Sequence, residues 1–105
     1  MDIKIQGKVF TLRADLAALM SFEKETGLKF GDIGEESALW EVGSLVYYFA
    51  KRGAEETGVK FDYSIEDFLG LVQVQELAVL MDAVGVLLAG PQQQEKKAIA
   101  EAANG

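Results

Sequence analysis

The sequence predicts an α+β fold: an N-terminal β-hairpin packed on a bundle of about four α-helices, with helix predominating. Three observations predict it. The first thirteen residues alternate apolar and polar side chains, the pattern of half-buried strands. From Asp15 onward the apolar residues recur at helical spacing. Capping residues and glycines punctuate that stretch where helices would begin and end.

In the hairpin, Ile3, Ile5, Phe10 and Leu12 share one face if Gln6-Gly7 forms a two-residue turn. That register sets Ile3 opposite Phe10 and Lys4 opposite Val9, and Gly7 supplies one positive φ. A two-stranded hairpin alone is marginal, so its apolar face must lie on helices or join another chain's sheet. Asp15 is placed to cap a first helix whose apolar side is Leu16, Leu19, Met20 and Phe22. Gly27 ends that helix, and Leu28 is expected to fold back on Phe22 in a Schellman end. Residues 29–36 read as a short loop with Phe30 and Ile33 turned inward.

A second helix is expected from near Ser37 to Glu56 or Thr57, with Gly58 as its stop and Gly53 as an alternative, earlier end. At 100° per residue, Leu39, Val42, Leu45, Val46, Phe49 and Ala50 form one stripe. Trp40 and Tyr47 lie a heptad apart on its shoulder, beside Gly43, Ala50 and Ala54. The apolar arc therefore exceeds what one surface-facing helix needs. Tyr48 falls opposite the main stripe, where the fold does not call for it.

Ser64 and Asp67 make a near capping box for a short helix over 65–71. The last strong helix is expected from about Val74 to Ala89, closed by Gly90-Pro91. Leu77, Met81, Val84 and Leu88 form its main stripe, Leu80 and Leu87 widen it, and Val79 and Val86 occupy its back face. The three glutamines and alanine-rich run after Pro91 change the composition. The expected organisation is one domain over 1–91 and a polar, low-complexity tail over 92–105, either frayed or ordered by a partner.

Composition narrows the function classes. The chain has 105 residues, neither cysteine nor histidine, and a net charge of −7. Thiolate and imidazole chemistry, disulfides and most zinc, copper or haem ligation are thereby removed. A fold this small must hold by packing, in itself or against its own copies. Lys51-Arg52 and Lys96-Lys97 are the only adjacent basic pairs, so no nucleic-acid or anionic-membrane partner is expected. The start lacks the pattern of a signal peptide, and the apolar run over 77–90 is too short to span a bilayer and carries Asp82. These features predict a cytoplasmic protein.

Carboxylates are the remaining candidates for chemistry. Glu23 and Glu25, Glu35-Glu36 and Glu55-Glu56 sit at helix ends or in loops, where solvated charge is the ordinary role. The segment Asp32-Ile33-Gly34-Glu35-Glu36 lacks the spacing and length of a calcium loop, and no glycine-rich phosphate motif is present. The reading is a protein without catalytic residues, metal or cofactor. Trp40, Tyr47, Tyr48, Phe61, Tyr63 and Phe68 serve either the core margin or a contact surface. Combined with the off-stripe valines, they yield a candidate protein-interaction surface of Trp40, Tyr47, Tyr48, Val79 and Val86.

Residues 3–13 have the form Ile-Lys-Ile-x-Gly-Lys-x-Phe-x-Leu-Arg, and 16–27 the form Leu-x-x-x-x-x-Phe-Glu-x-Glu-Thr-Gly. A long helix ending in glycine and the segment Phe61-Asp62-Tyr63-Ser64-x-Glu66-Asp67-Phe68 follow. Over about residues 3–90 this order resembles the tail assembly chaperones of long-tailed bacteriophages and prophages. The resemblance implies a non-enzymatic, mostly helical protein of the bacterial host cytoplasm. Such a protein binds the tape-measure protein, keeps its long helices soluble and recruits tail-tube subunits. Self-association is implied too, and this chain would be the short form of a frameshifted pair. The alternative is a small acidic regulatory or inhibitory adaptor whose charge mimics nucleic acid. A third hypothesis, a carboxylate-based enzyme, requires a concave pocket with a buried glutamate.

Overall fold

The structure, a computed structural model, describes residues 1–33 and 37–88. It begins with an antiparallel hairpin of β1 (Asp2–Ile5) and β2 (Lys8–Thr11). Ile3 pairs with Phe10 and Lys4 with Val9, the register set by period-two burial. Gln6 as well as Gly7 takes a positive φ, at 50° and 78°, as a type I′ turn demands. Ile3, Ile5, Phe10 and Leu12 are all buried.

Asp15 caps α1 (Leu16–Thr26), its carboxylate accepting the Ala18 N–H at 2.9 Å. Only Ala18 and Phe22 are buried on α1, Leu19 partly so, while Leu16 and Met20 face solvent. A helix packed on one neighbour buries a narrow stripe, and here small Ala18 lets it sit close. Gly27 ends α1 at φ 75°, its N–H donating to the Glu23 carbonyl. That is the single-bond αL cap and not the expected Schellman end. The Leu28 N–H goes instead to the Thr26 hydroxyl (3.1 Å), which itself donates to the Phe22 carbonyl. Leu28 still packs against the core. The 3-10 turn Phe30–Asp32 leaves Phe30 exposed, against expectation, whereas Ile33 is half-buried on the core.

The long helix α2 (Leu39–Thr57) starts two residues later than expected, after Ala38, and runs through Gly53 to Gly58. Its end carries the Schellman bond, the Val59 N–H donating to the Ala54 carbonyl at 3.0 Å. Every residue from 42 to 50 is buried. A helix apolar all round belongs in the centre of a fold, and β2, α1 and α3 (Ile65–Leu71) all pack on α2. Two glycines allow this crowding. A Cβ on Gly53 would lie 1.9 Å from the Thr11 carbonyl oxygen, and one on Gly43 2.5 Å from a Leu69 methyl. Gly53 is therefore a contact point for the hairpin backbone and not a helix stop.

Ser64 caps α3 through the Asp67 N–H at 3.0 Å, and Phe68 beneath it is fully buried. Phe10, Tyr47, Phe61, Tyr63 and Phe68 meet edge to face or tilted, with Phe10 and Phe68 5.3 Å apart. Past α3, Gln6 at the hairpin turn reaches across the chain. Its side-chain amide donates to the Leu71 carbonyl (2.7 Å) and its N–H to the Glu76 carboxylate (2.8 Å). The last helix opens with a 3-10 turn, Val74–Glu76, and continues as α4 over residues 77–88. The segment Val74–Leu88 lies at 90° to α3.

Leu80, Ala83 and Val84 are the buried residues of α4, with Leu77 and Leu87 half-buried. The inward stripe is rotated from the one expected, and Met81 and Leu88 are exposed. The expected stop at Gly90-Pro91 and the tail over 92–105 lie outside the described residues. Among the described residues no single helix is long and apolar enough to cross a membrane.

Gly53 and Gly85 predict opposite responses to the same substitution. A Cβ at Gly85 meets nothing within 4 Å. Gly85→Ala is expected to stabilise by up to about 1 kcal/mol through helix propensity. Gly53→Ala is expected to cost about 2 kcal/mol, because overpacking outweighs that gain. Urea unfolding of the two variants measures both signs.

Candidate interaction surface

The five residues assigned to a contact surface separate into two groups. Tyr47 and Tyr48 are 7% and 5% exposed, whereas Trp40, Val79 and Val86 are 55%, 44% and 48% exposed. The reading of Tyr48 as a residue the fold does not need is corrected. Helix α1 covers that side of α2, bringing the Phe22 ring to 6.1 Å from Tyr48, with Tyr47 at 5.0 Å on the other side. Burial, and then the neighbouring Glu25 carboxylate, push the Tyr48 phenol well above its usual range. The Tyr47 hydroxyl donates to the Tyr63 carbonyl at 2.8 Å. The wide apolar arc of α2 is consumed inside the chain, wrapped by the hairpin and the other helices.

Exposed apolar surface gathers on α4 instead. Around that helix the solvent pole is Ala78, Asp82 and Gly85, at i, i+4 and i+7. Val79 and Val86 flank the pole on one side, Met81 and Leu88 on the other, and all four are exposed. Asp82 is the only charged residue between 77 and 88. Beside the Met81–Leu88 flank lies a cavity of about 360 Å³, lined also by Ile33, Val42, Asp82, Val84 and Gly85. Leu39 and Trp40, in the exposed first turn of α2, lie three and two residues before Val42 in the chain. Sequence reasoning missed Met81 and Leu88 because both fit the helical stripe that it assigned to the core. The signal it could have used is the shortage of polar residues on every side of α4.

Among the described residues, Glu23, Glu55 and Glu56 of the carboxylate pairs have structural partners. Asp15 accepts from Arg13 Nε at 2.9 Å and from Arg52 Nε at 2.8 Å. Arg13 reaches on to Glu56 at 3.0 Å, and Arg52 to Glu55 at 3.3 Å. This chain of charges joins the end of the hairpin, the start of α1 and the last turns of α2. Burial alone would raise the Asp15 carboxyl, but the Ala18 N–H and the two arginines outweigh it and hold it at about 2. Glu23 accepts the Phe30 N–H at 3.2 Å. Glu35 and Glu36 lie outside the described residues. Ser44 is the one buried polar residue among those described, and no group of three or more acidic side chains there could hold a metal ion.

The chain matches no protein-family model, no curated protein and no solved structure.

Two outcomes follow from this geometry. Tyr48→Ala is expected to destabilise the fold by about 3 kcal/mol, as loss of a buried aromatic does, while Trp40→Ala stays within about 0.5 kcal/mol of the parent. Thermal unfolding of the pair separates core from surface. The second concerns acid. A carboxyl depressed from 3.8 to about 2 contributes stability that is complete above its unfolded value and lost as pH falls from 3.8 through about 2. Asp15→Asn retains a capping oxygen but no charge, so its stability is expected to fall less steeply over that window in urea titrations.

Proposed function

We propose that this chain is a non-enzymatic assembly chaperone of the long-tailed bacteriophage or prophage type, working in the cytoplasm of a bacterial host. In this reading it binds tape-measure protein, keeps its helices soluble, and recruits tail-tube subunits. The observation that carries it is the solvent side of α4, a helical surface with one charge, two apolar flanks and an adjoining cleft. A groove of this kind suits the apolar face of an amphipathic helix. An apolar patch of this sort on a small domain is ordinarily a contact site.

The rest of the surface is consistent with a soluble carrier. A net charge of −7 disfavours uncontrolled aggregation of a protein that exposes valine, methionine and leucine. Contacts between copies of the chain belong to the same proposal, since two flanks of α4 are available and one helix fills one of them. The acidic-adaptor alternative is weakened by Arg13 and Arg52, which offset two of the three negative charges of Asp15, Glu55 and Glu56.

The test uses a tape-measure fragment from the genome that encodes the chain. Light scattering is expected to show that the wild-type protein suppresses aggregation of the fragment. Met81→Asp combined with Val86→Asp is expected to abolish that effect while circular dichroism keeps its helical signal. Aggregation of the fragment at the same rate with and without the wild-type chain would exclude this function.

A further inference from the structure

A second cleft, remote in the chain from α4, lies along the outer edge of the hairpin. Antiparallel partners alternate between pairs that exchange ladder bonds and pairs that do not. Leu12 donates to the Met1 carbonyl at 2.7 Å, which sets the phase. Met1 with Leu12, Ile3 with Phe10 and Ile5 with Lys8 are then bonded pairs, and Lys4 with Val9 is an open one. The N–H and C=O of Val9 therefore point away from β1, and neither has an intrachain partner among the described residues. Beyond Val9 the strand closes on α2: the Thr11 carbonyl abuts Gly53, and the Arg13 N–H donates to the Phe49 carbonyl at 3.0 Å.

Where β2 stands clear of α2, the gap is a cavity of about 230 Å³. Ala54 and Phe61 line its apolar part, and the exposed valines Val9 and Val59 form its rim. Lys8 and Lys60 also line it, and no aspartate or glutamate does. In a chain of net charge −7 this is a local reversal of sign. Lys60 meets Asp62 at 2.9 Å and Lys8 meets the Tyr63 hydroxyl at 3.3 Å. Both contacts are solvent-exposed, so each ammonium can exchange its partner at little cost.

We propose that this cleft takes an extended acidic segment of another protein, added as a third strand on the outer edge of β2. The free Val9 groups recognise backbone, the apolar lining takes alternate side chains, and the two lysines select carboxylates. A second copy pairing through the same edge would set Lys8 and its own lysines near one another, which disfavours that occupant. The proposal stands apart from the reading of α4 and shares no residue with it.

The probe is a fluorescein-labelled hexapeptide of alternating valine and glutamate, compared with its valine–lysine counterpart by fluorescence polarisation. The acidic peptide is expected to bind at least tenfold more tightly. Methylating its central backbone nitrogens, which keeps the charge and removes the strand donors, is expected to weaken it at least tenfold. Lys60→Glu should weaken it several-fold. Val9→Pro, which removes an N–H that the hairpin ladder does not use, should abolish binding with the melting temperature nearly unchanged. Amide shifts on titration are expected to centre on Lys8 to Thr11 and Val59 to Tyr63. Equal binding of the two peptides, indifference to methylation, no binding of either peptide, or shifts centred elsewhere would each overturn the proposal. If instead sedimentation shows a dimer that Lys60→Glu converts to monomer, the occupant is a second copy and the proposal fails.

Discussion

Helix α2 is buried on every side from residue 42 to residue 50, and the remaining elements are arranged by the need to cover it. The hairpin supplies one wall, α1 another, and α3 with its aromatic cluster a third. Such wrapping requires backbones to approach closely, and at Gly53 any side chain larger than hydrogen would prevent it. Gly53 admits the Thr11 carbonyl, and Gly43 admits Leu69. Without these contacts the hairpin would be an isolated two-stranded ribbon, which has little stability of its own.

Polar junctions then fix the pieces in relation to one another. Asp15 is at once the cap of α1 and the acceptor for arginines from the hairpin exit and from α2. Its depressed pKa measures the preference of that junction for the charged form, with solvent screening most of the outer pairs. At the far end of the hairpin, Gln6 serves the Leu71 carbonyl and meets Glu76. The connection between α3 and α4 is thus tied by a residue that precedes its two partners by 65 and 70 positions. Both junctions use ordinary local residues, a cap and a turn residue, for a second, long-range purpose.

What the fold leaves uncovered is as informative as what it hides. An apolar arc on a helix has two explanations, a partner outside the chain or neighbours within it. For α2 the neighbours are internal, and Tyr47 and Tyr48 belong to the core. For α4 the buried stripe is narrow, while Val79, Val86, Met81 and Leu88 remain in solvent. Trp40 stays exposed because it lies in the first turn of α2, ahead of the stretch that is enclosed.

Local chemistry was legible in the residues themselves. The alternation of Ile3, Ile5, Phe10 and Leu12, the caps at Asp15 and Ser64, and the stops at Gly27 and Gly58 depend on a few neighbouring residues, so their pattern determines them. The α+β class and the order of hairpin and helices followed from those signals. Which face of a helix meets which neighbour was decided only by the tertiary structure. Periodicity reports that a side is apolar but carries no information about how many elements will surround it. For that reason α2 looked like a helix with surface to spare and proved to be the centre. For the same reason Met81 and Leu88 of α4 read as core residues, yet they stay in water, as the back-face valines Val79 and Val86 do.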